Sequence, residues 1–217
     1  MNDSLAQNGS ASYTQAGIGI YAQISPNEDW TFAVGGQDGT NVDAISVRFN
    51  NLDEKHYTTF GYAAYTPTIK GLGDAEISML VYNQPAVREQ PETTNGWSLN
   101  LSQNIGEKWG FFARLNETSG SIEEIRQSWV LGGVYNNPLH RNSLDQIGLA
   151  YAYNKVDERA VGEKLQHNAE QIVEAYWAWG IGDMLTITPD VQMYIHPALN
   201  QKSDYGFATS IRATVMF

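Results

Sequence analysis

Arg114, Arg212, Glu76, Glu174, Asp190 and Gln192 stand at one parity of strictly alternating segments, and Tyr65, Tyr82, Tyr176 and Tyr194 are assigned to the same set. Guanidinium, carboxylate and amide groups bond bidentately to neighbouring hydroxyls, and a phenol ring offers an apolar face with a polar tip. That combination suits neutral polyols, whose rings have apolar faces and hydroxylated rims. Charges of both signs disfavour a strongly charged solute, and opposed charges across a constriction slow ions while admitting a neutral molecule. The plainer reading is that these groups only satisfy one another.

Chemistry beyond binding is not written in the pattern. A hydrolytic site needs a nucleophile beside a histidine with a third, orienting group. The four histidines, His56, His140, His167 and His196, fall in loops or at strand ends with no nucleophile motif beside them. No paired histidines or carboxylates recur at ligand spacing, so neither a metal site nor a cofactor nor a catalytic residue is assigned. Asp157, Glu158 and Glu163 offer oxygen ligands of the kind Ca²⁺ takes, but read better as a solvated acidic loop.

What positions the polar set is a side-chain period of two. From Tyr205 to Phe217, the residues Tyr205, Phe207, Thr209, Ile211, Ala213, Val215 and Phe217 alternate with Gly206, Ala208, Ser210, Arg212 and Thr214. A strand between lipid and a watery lumen has this form. The pattern recurs with Ile18, Ile20, Ala22 and Ile24 outward, then Trp30, Phe32 and Val34, then Phe60, Tyr62 and Ala64, then Ala75, Ile77, Met79 and Val81. Further along come Trp97, Leu99 and Leu101, the row Trp109 to Leu115, the row Trp129 to Tyr135, the row Ile147 to Tyr153, and finally Val173 to Ile181 and Leu185 to Ile195. Gly182-Asp183 reads as a two-residue hairpin, and Pro189 weakens the strand it interrupts. Trp97, Trp129, Trp177, Trp179, Tyr205, Phe207 and Phe217 share the outward parity and read as interfacial girdles rather than sugar platforms.

Connections supply a second regularity. Short links at Pro26 to Asp29, Lys70 to Asp74, Gly106 to Lys108 and Gly182-Asp183 alternate with long polar ones, as barrels with periplasmic turns and extracellular loops require. The count is eleven crossings, an odd number, whereas single-chain bacterial barrels have even numbers. Asp43 to Asn50 reads as strand, short helix or loop, and Arg48 within it as a possible lumen group. The expectation is an all-β, antiparallel transmembrane barrel of about 11–12 strands, either small and closed or the later part of a larger one. Residues 1–10 are expected to be a flexible segment and residues 11–217 the barrel wall.

Composition agrees without deciding. The 217 residues include twelve Tyr, seven Phe, six Trp and twenty Gly, no Cys, and a formal charge of -11. Mean hydropathy is -0.38 and no run is long enough for a spanning helix, so any span must be built of strands. The charge argues against nucleic acid, because no basic stripe exists to neutralise phosphates. No basic region followed by an apolar core opens the chain, so no signal peptide is read at Met1. A soluble sugar-binding sandwich would share much of this profile.

Several segments resemble the later half of the carbohydrate-selective porins of the OprB type. They are Tyr21-Ala22-Gln23 through Gly35-Gly36-Gln37-Asp38-Gly39, Gly61-Tyr62-Ala63-Ala64-Tyr65-Thr66-Pro67, and Leu131-Gly132-Gly133-Val134-Tyr135 with Asp145-Gln146-Ile147-Gly148-Leu149-Ala150-Tyr151. Most specific are Glu174-Ala175-Tyr176-Trp177-Ala178-Trp179 and Thr188-Pro189-Asp190-Val191-Gln192-Met193-Tyr194-Ile195-His196-Pro197. The resemblance implies a bacterial outer-membrane barrel of about sixteen strands that passes small sugars passively. It also implies outer-membrane lipid as a partner; the C-terminal strand ending on Phe217 resembles the signal that the barrel-assembly machinery reads, and a homo-oligomer such as a trimer is left open by the sequence.

Overall fold

The computed structural model describes residues 18–40, 52–87, 92–120, 125–161, 165–198 and 200–216. Residues 1–10, Arg48, the segment Asp43 to Asn50, Glu163 and Phe217, on each of which an expectation rested, lie outside them. The strands are β1 (Gly19–Ile24), β2 (Trp30–Asp38), β3 (Tyr57–Tyr65), the short β4 (Thr68–Ile69), β5 (Gly73–Gln84) and β6 (Thr94–Ile105). They continue as β7 (Trp109–Ser119), β8 (Ile125–Asn136), β9 (Gln146–Val156), β10 (Ala169–Ile181), β11 (Leu185–Ile195) and β12 (Tyr205–Val215). One helical turn, α1 (Glu158–Val161), follows β9.

All strands but β4 form a single antiparallel path in chain order, each paired with the one before and after it, and β4 pairs only with β5. Hairpin connectivity throughout is what antiparallel neighbours joined by short loops require. β1 and β12 each have one neighbour among the described residues, so the sheet is an open wall.

The two faces of that wall are partitioned in reverse of a soluble protein. The buried face carries Ser78, Ser98, Asn116, Ser128, Asn154, Glu174, Thr188 and Gln192, with only small apolar patches such as Val130, Ala152 and Ile172. The opposite face leaves Val34, Leu131, Leu149, Phe207 and Ile211 exposed, the last at 78%. A sandwich would interleave those aliphatic rows in a dry core. Exposed in this way they are far larger than the apolar patch a soluble monomer tolerates, and lipid is the solvent that accommodates them.

Register settles parity strand by strand and corrects one assignment. Phe60, Tyr62 and Ala64 were expected outward and Tyr65 inward, because the first row is the greasier. In the structure Val34 lies opposite Gly61 and Phe32 opposite Ala63, so Gly61, Ala63 and Tyr65 share the outward face while Phe60, Tyr62 and Ala64 face inward. The pairing of Ala63 with Met79 and of Tyr65 with Ile77 on the other side agrees. Apolarity misled here because Phe60 fills the space above Gly35 on the inner face, where a Cβ would lie 2.6 Å from its ring. A one-residue shift of parity moves every side chain of a strand across the wall.

The turns depart from expectation in two places. Gly182 to Met184 make a three-residue turn between β10 and β11, with Gly182 at a φ of 60°. The link between β8 and β9 lies on the same side as the short turns yet runs from residue 137 to 145, because it folds back over the end of β10. There Arg141 Nη2 donates to Asp145 Oδ1 at 2.6 Å and to the Gly180 carbonyl at 2.8 Å, and the Gly180 N–H donates to Asp145 Oδ1 at 2.7 Å. Pro189 sits within β11 without a register shift; the ladder to β10 lapses beside it, between Asp190 and Ile187, and pairing to β12 is continuous. Proline lacks the N–H that a ladder needs, so this local gap is its expected cost.

Candidate functional site

The inner face of β10, β11 and β12 collects most of the polar set. Tyr176 lies opposite Asp190, Glu174 opposite Gln192, and Ile172 opposite Tyr194, so three rows cross the two strands. Asp190 faces Ser210 on β12, and Thr188 faces Arg212. Gln192 Nε2 donates to Asp190 Oδ1 at 3.1 Å, and the Tyr194 hydroxyl donates to Gln192 Oε1 at 2.7 Å. The Tyr176 hydroxyl donates to Gln146 Oε1 of β9, and Glu174 and Arg212 are within electrostatic reach of it. Strand alternation brings these side chains to one surface, and antiparallel register sets which of them touch.

A second group lies on β5 to β7. Ser78 Oγ donates to Glu76 Oε1 at 2.7 Å, and the Arg114 guanidinium stands over the Phe112 ring, 5.2 Å from its centre, within electrostatic reach of Glu76. Tyr82 shares this inner face and covers Gly96. A third buried network runs from Ser128 Oγ to Asn154 Oδ1 at 2.8 Å and from Asn154 Nδ2 to Glu170 Oε1 at 3.3 Å. Glu170 Oε2 accepts from the Ala198 N–H at 2.9 Å, tying the wall to the loop after β11. Ser128, Asn154 and Glu170 were not singled out from sequence, although each has the inward parity of its strand.

Between the two groups the inner face is apolar. Val130, Ala152 and Ile172 form a buried strip with Phe112, Ala150 and Tyr194 packed against it. The strip itself is covered, so the apolar surface presented beside the polar groups is that of the half-buried Phe112 and Tyr194 rings, which suit the apolar face of a sugar ring whose edge is hydroxylated.

Of the residues read as lumen-facing, Glu76, Tyr82, Arg114, Glu174, Tyr176, Asp190, Gln192, Tyr194 and Arg212 lie on the inner face. Tyr65 does not: its ring stacks outside on Trp30, with centroids 4.7 Å apart. Trp97, Trp129, Trp177, Trp179, Tyr205 and Phe207 lie on the outer face. Outer-face aromatics fall in two rows. Trp97, Trp129 with Tyr153, and Tyr205 lie near the long loops, whereas Trp30 with Tyr65, Trp109 with Tyr135, and Trp177 with Trp179 lie near the short turns. Two such belts mark the two membrane interfaces of a barrel.

This wall has known counterparts. The family model of the carbohydrate-selective porin, OprB family, matches residues 5–217. The chain belongs to that family. Among curated relatives of this OprB-family chain, Porin AaxA of Chlamydia pneumoniae is 38% identical over 213 residues, 97% of this chain and 48% of that protein. Porin AaxA of Chlamydia trachomatis serovar A is 33% identical over 211 residues, 97% of this chain and 45% of that protein. The chain thus spans about half the length of the curated relatives it matches. The high-pH structure of Pseudomonas putida OprB aligns with a TM-score of 0.75 at 13% identity, over 91% of this chain and 58% of that one. Pseudomonas aeruginosa OccK11 aligns with a TM-score of 0.60 at 9% identity, over 92% and 58%. At these identities the likeness establishes a shared barrel fold and no more. Family and fold together place the chain in the bacterial outer membrane.

Proposed function

We propose that this OprB-family chain forms wall of an outer-membrane pore through which small neutral solutes, sugars foremost, diffuse passively. The observation that carries the reading is the inner face of β10 to β12, where Tyr176, Asp190, Glu174, Gln192, Tyr194 and Arg212 are grouped beside the apolar strip of Val130, Ala152 and Ile172. Carboxylates and guanidinium of opposite sign orient water across the passage without repelling a neutral polyol. Tyr194 and Phe112 border the strip and offer apolar surface to a ring face. No reaction is required of any of these groups, so the protein acts as a channel and not as an enzyme. Assembly would proceed through β12, whose alternation is the feature an insertion machinery reads.

The test is solute flux through liposomes containing the protein purified from outer membranes in detergent. Glucose and disaccharides are expected to enter faster than amino acids or organic ions of similar size. Faster entry of a charged solute, or no flux, would overturn the sugar assignment. Protein that stays monodisperse in plain buffer would overturn the membrane reading altogether.

A further inference from the structure

We propose a first-row divalent metal site, of the kind that binds Zn²⁺, Cu²⁺ or Ni²⁺, formed by His167, His196 and Asp204 on the long-loop side of the wall. The three residues come from separate segments: His167 two positions before β10, His196 directly after β11, and Asp204 directly before β12. Their donor atoms all lie within 4.8 Å of one another. Two of the chain's four histidines are thereby brought ring to ring, with centroids 3.7 Å apart and planes 10° from parallel. Imidazole is a preferred ligand of these ions, and a carboxylate completes a set that leaves room for water.

The backbones that carry the ligands are already fixed. The His196 N–H donates to the Asp204 carbonyl at 2.8 Å, closing the loop from which both side chains project. Gln201, from that same loop, accepts at its Oε1 from the N–H groups of Gln166 and His167, each at 3.1 Å. The segment before β10 is therefore pinned against the loop after β11 whether or not an ion is present. His196 holds a φ of 52°, a left-handed conformation that histidine tolerates better than most residues.

The site is preformed in position but not in final geometry. Donor atoms around a tetrahedral ion at about 2.1 Å lie about 3.4 Å apart, closer than the present outer limit of 4.8 Å. Parallel rings also direct their lone pairs side by side. Binding requires the rings to turn toward a common point, a side-chain rotation that the half-exposed setting of both histidines permits. An ion held there would clip the β9–β10 connection to the β11–β12 connection at the rim of the wall.

The experiment is calorimetric titration of Zn²⁺ into the detergent-solubilised protein, beside His167→Gln, His196→Asn and His140→Asn. Asparagine is chosen at 196 and at 140 because it also accepts the positive φ that both positions hold. One equivalent of Zn²⁺ is expected in the parent and in His140→Asn, with binding at least about tenfold weaker in the other two. Equal binding in all four proteins, or none in the parent at about millimolar Zn²⁺, overturns the proposal. Cu²⁺ electron paramagnetic resonance on the unaltered protein gives a readout that no substitution can disturb by misfolding. Splitting from two equatorial nitrogens supports the site, and an oxygen-only spectrum removes it.

Discussion

The ring of Tyr176 lies against the backbone of Gly148, its direct partner on β9, so closely that a Cβ built at 148 would overlap the ring. The arrangement repeats on the inner face: Phe60 covers Gly35, Tyr82 covers Gly96 and Phe112 covers Gly132, each across a direct register pair. An aromatic laid over a cross-strand glycine covers exposed backbone and lets the sheet twist and curl. It also keeps large rings flat on the wall.

Gly148→Val is therefore expected to displace the Tyr176 ring and break its bond to Gln146. Overpacking of this kind costs about 1–3 kcal/mol. Heat-dependent mobility in detergent gels should show a lower unfolding temperature, whereas Tyr176→Phe, which removes only one hydrogen bond, should cost about 1 kcal/mol. Equal stability of Gly148→Val and the parent would show that the ring has another resting place.

The two faces should answer differently to charge. Arg114→Ala and Arg212→Ala, on the inner face, are expected to change ion selectivity in planar bilayers while leaving the unfolding temperature nearly unchanged. Ala175→Lys and Ile211→Lys place charge on the outer face, near the middle of β10 and β12, and should impair insertion by about 2–4 kcal/mol. Refolding yield into lipid vesicles measures the second effect.

Arg141 and Arg159 each pair with an aspartate, yet the two pairs should matter unequally. Asp145 has a fully buried side chain, and Arg141 both bonds it and stacks over Trp179 with 3.9 Å to the ring centre. Arg141→Ala leaves a buried carboxylate short of a partner and should destabilise the short-turn side by about 1–3 kcal/mol. Arg159 is exposed, and replacing it by alanine should lower resistance to chemical unfolding in detergent by less than Arg141→Ala does.

Asp157, in the loop after β9, gives a pH signature. Its carboxyl is held below the ordinary carboxylate range chiefly by hydrogen bonds from the Arg159 side chain, aided by the Arg159 N–H. Because the folded value is the lower one, the stabilisation is present above the unfolded value of about 4 and disappears as pH falls through the folded value. The stability difference between parent and Asp157→Asn should hold constant from neutral pH down to about 4 and shrink below it. A difference that grows on acidification would reverse the assigned direction.

How much of this was readable before folding depends on which residues are asked. The rows from Trp97 to Leu101 and from Tyr205 to Val215 announced both their strands and their outward faces, because period-two alternation with lipid on one side is a local property of the chain. The eleven-strand path and most of the inward polar set followed from that same local rule. In β3 the rule failed. Thr59, Gly61 and Ala63 are too small to advertise a lipid face, and only pairing with Val34 and Met79 on the flanking strands decided that Tyr65 points outward. Nor could spacing in the chain reveal that Tyr176 rests on Gly148, that Arg141 reaches Gly180, or that His167 meets His196. Alternation is written in neighbouring residues and survives reading one segment at a time. Which side chains touch across a wall is set by register and loop closure, and those exist only once the strands have paired.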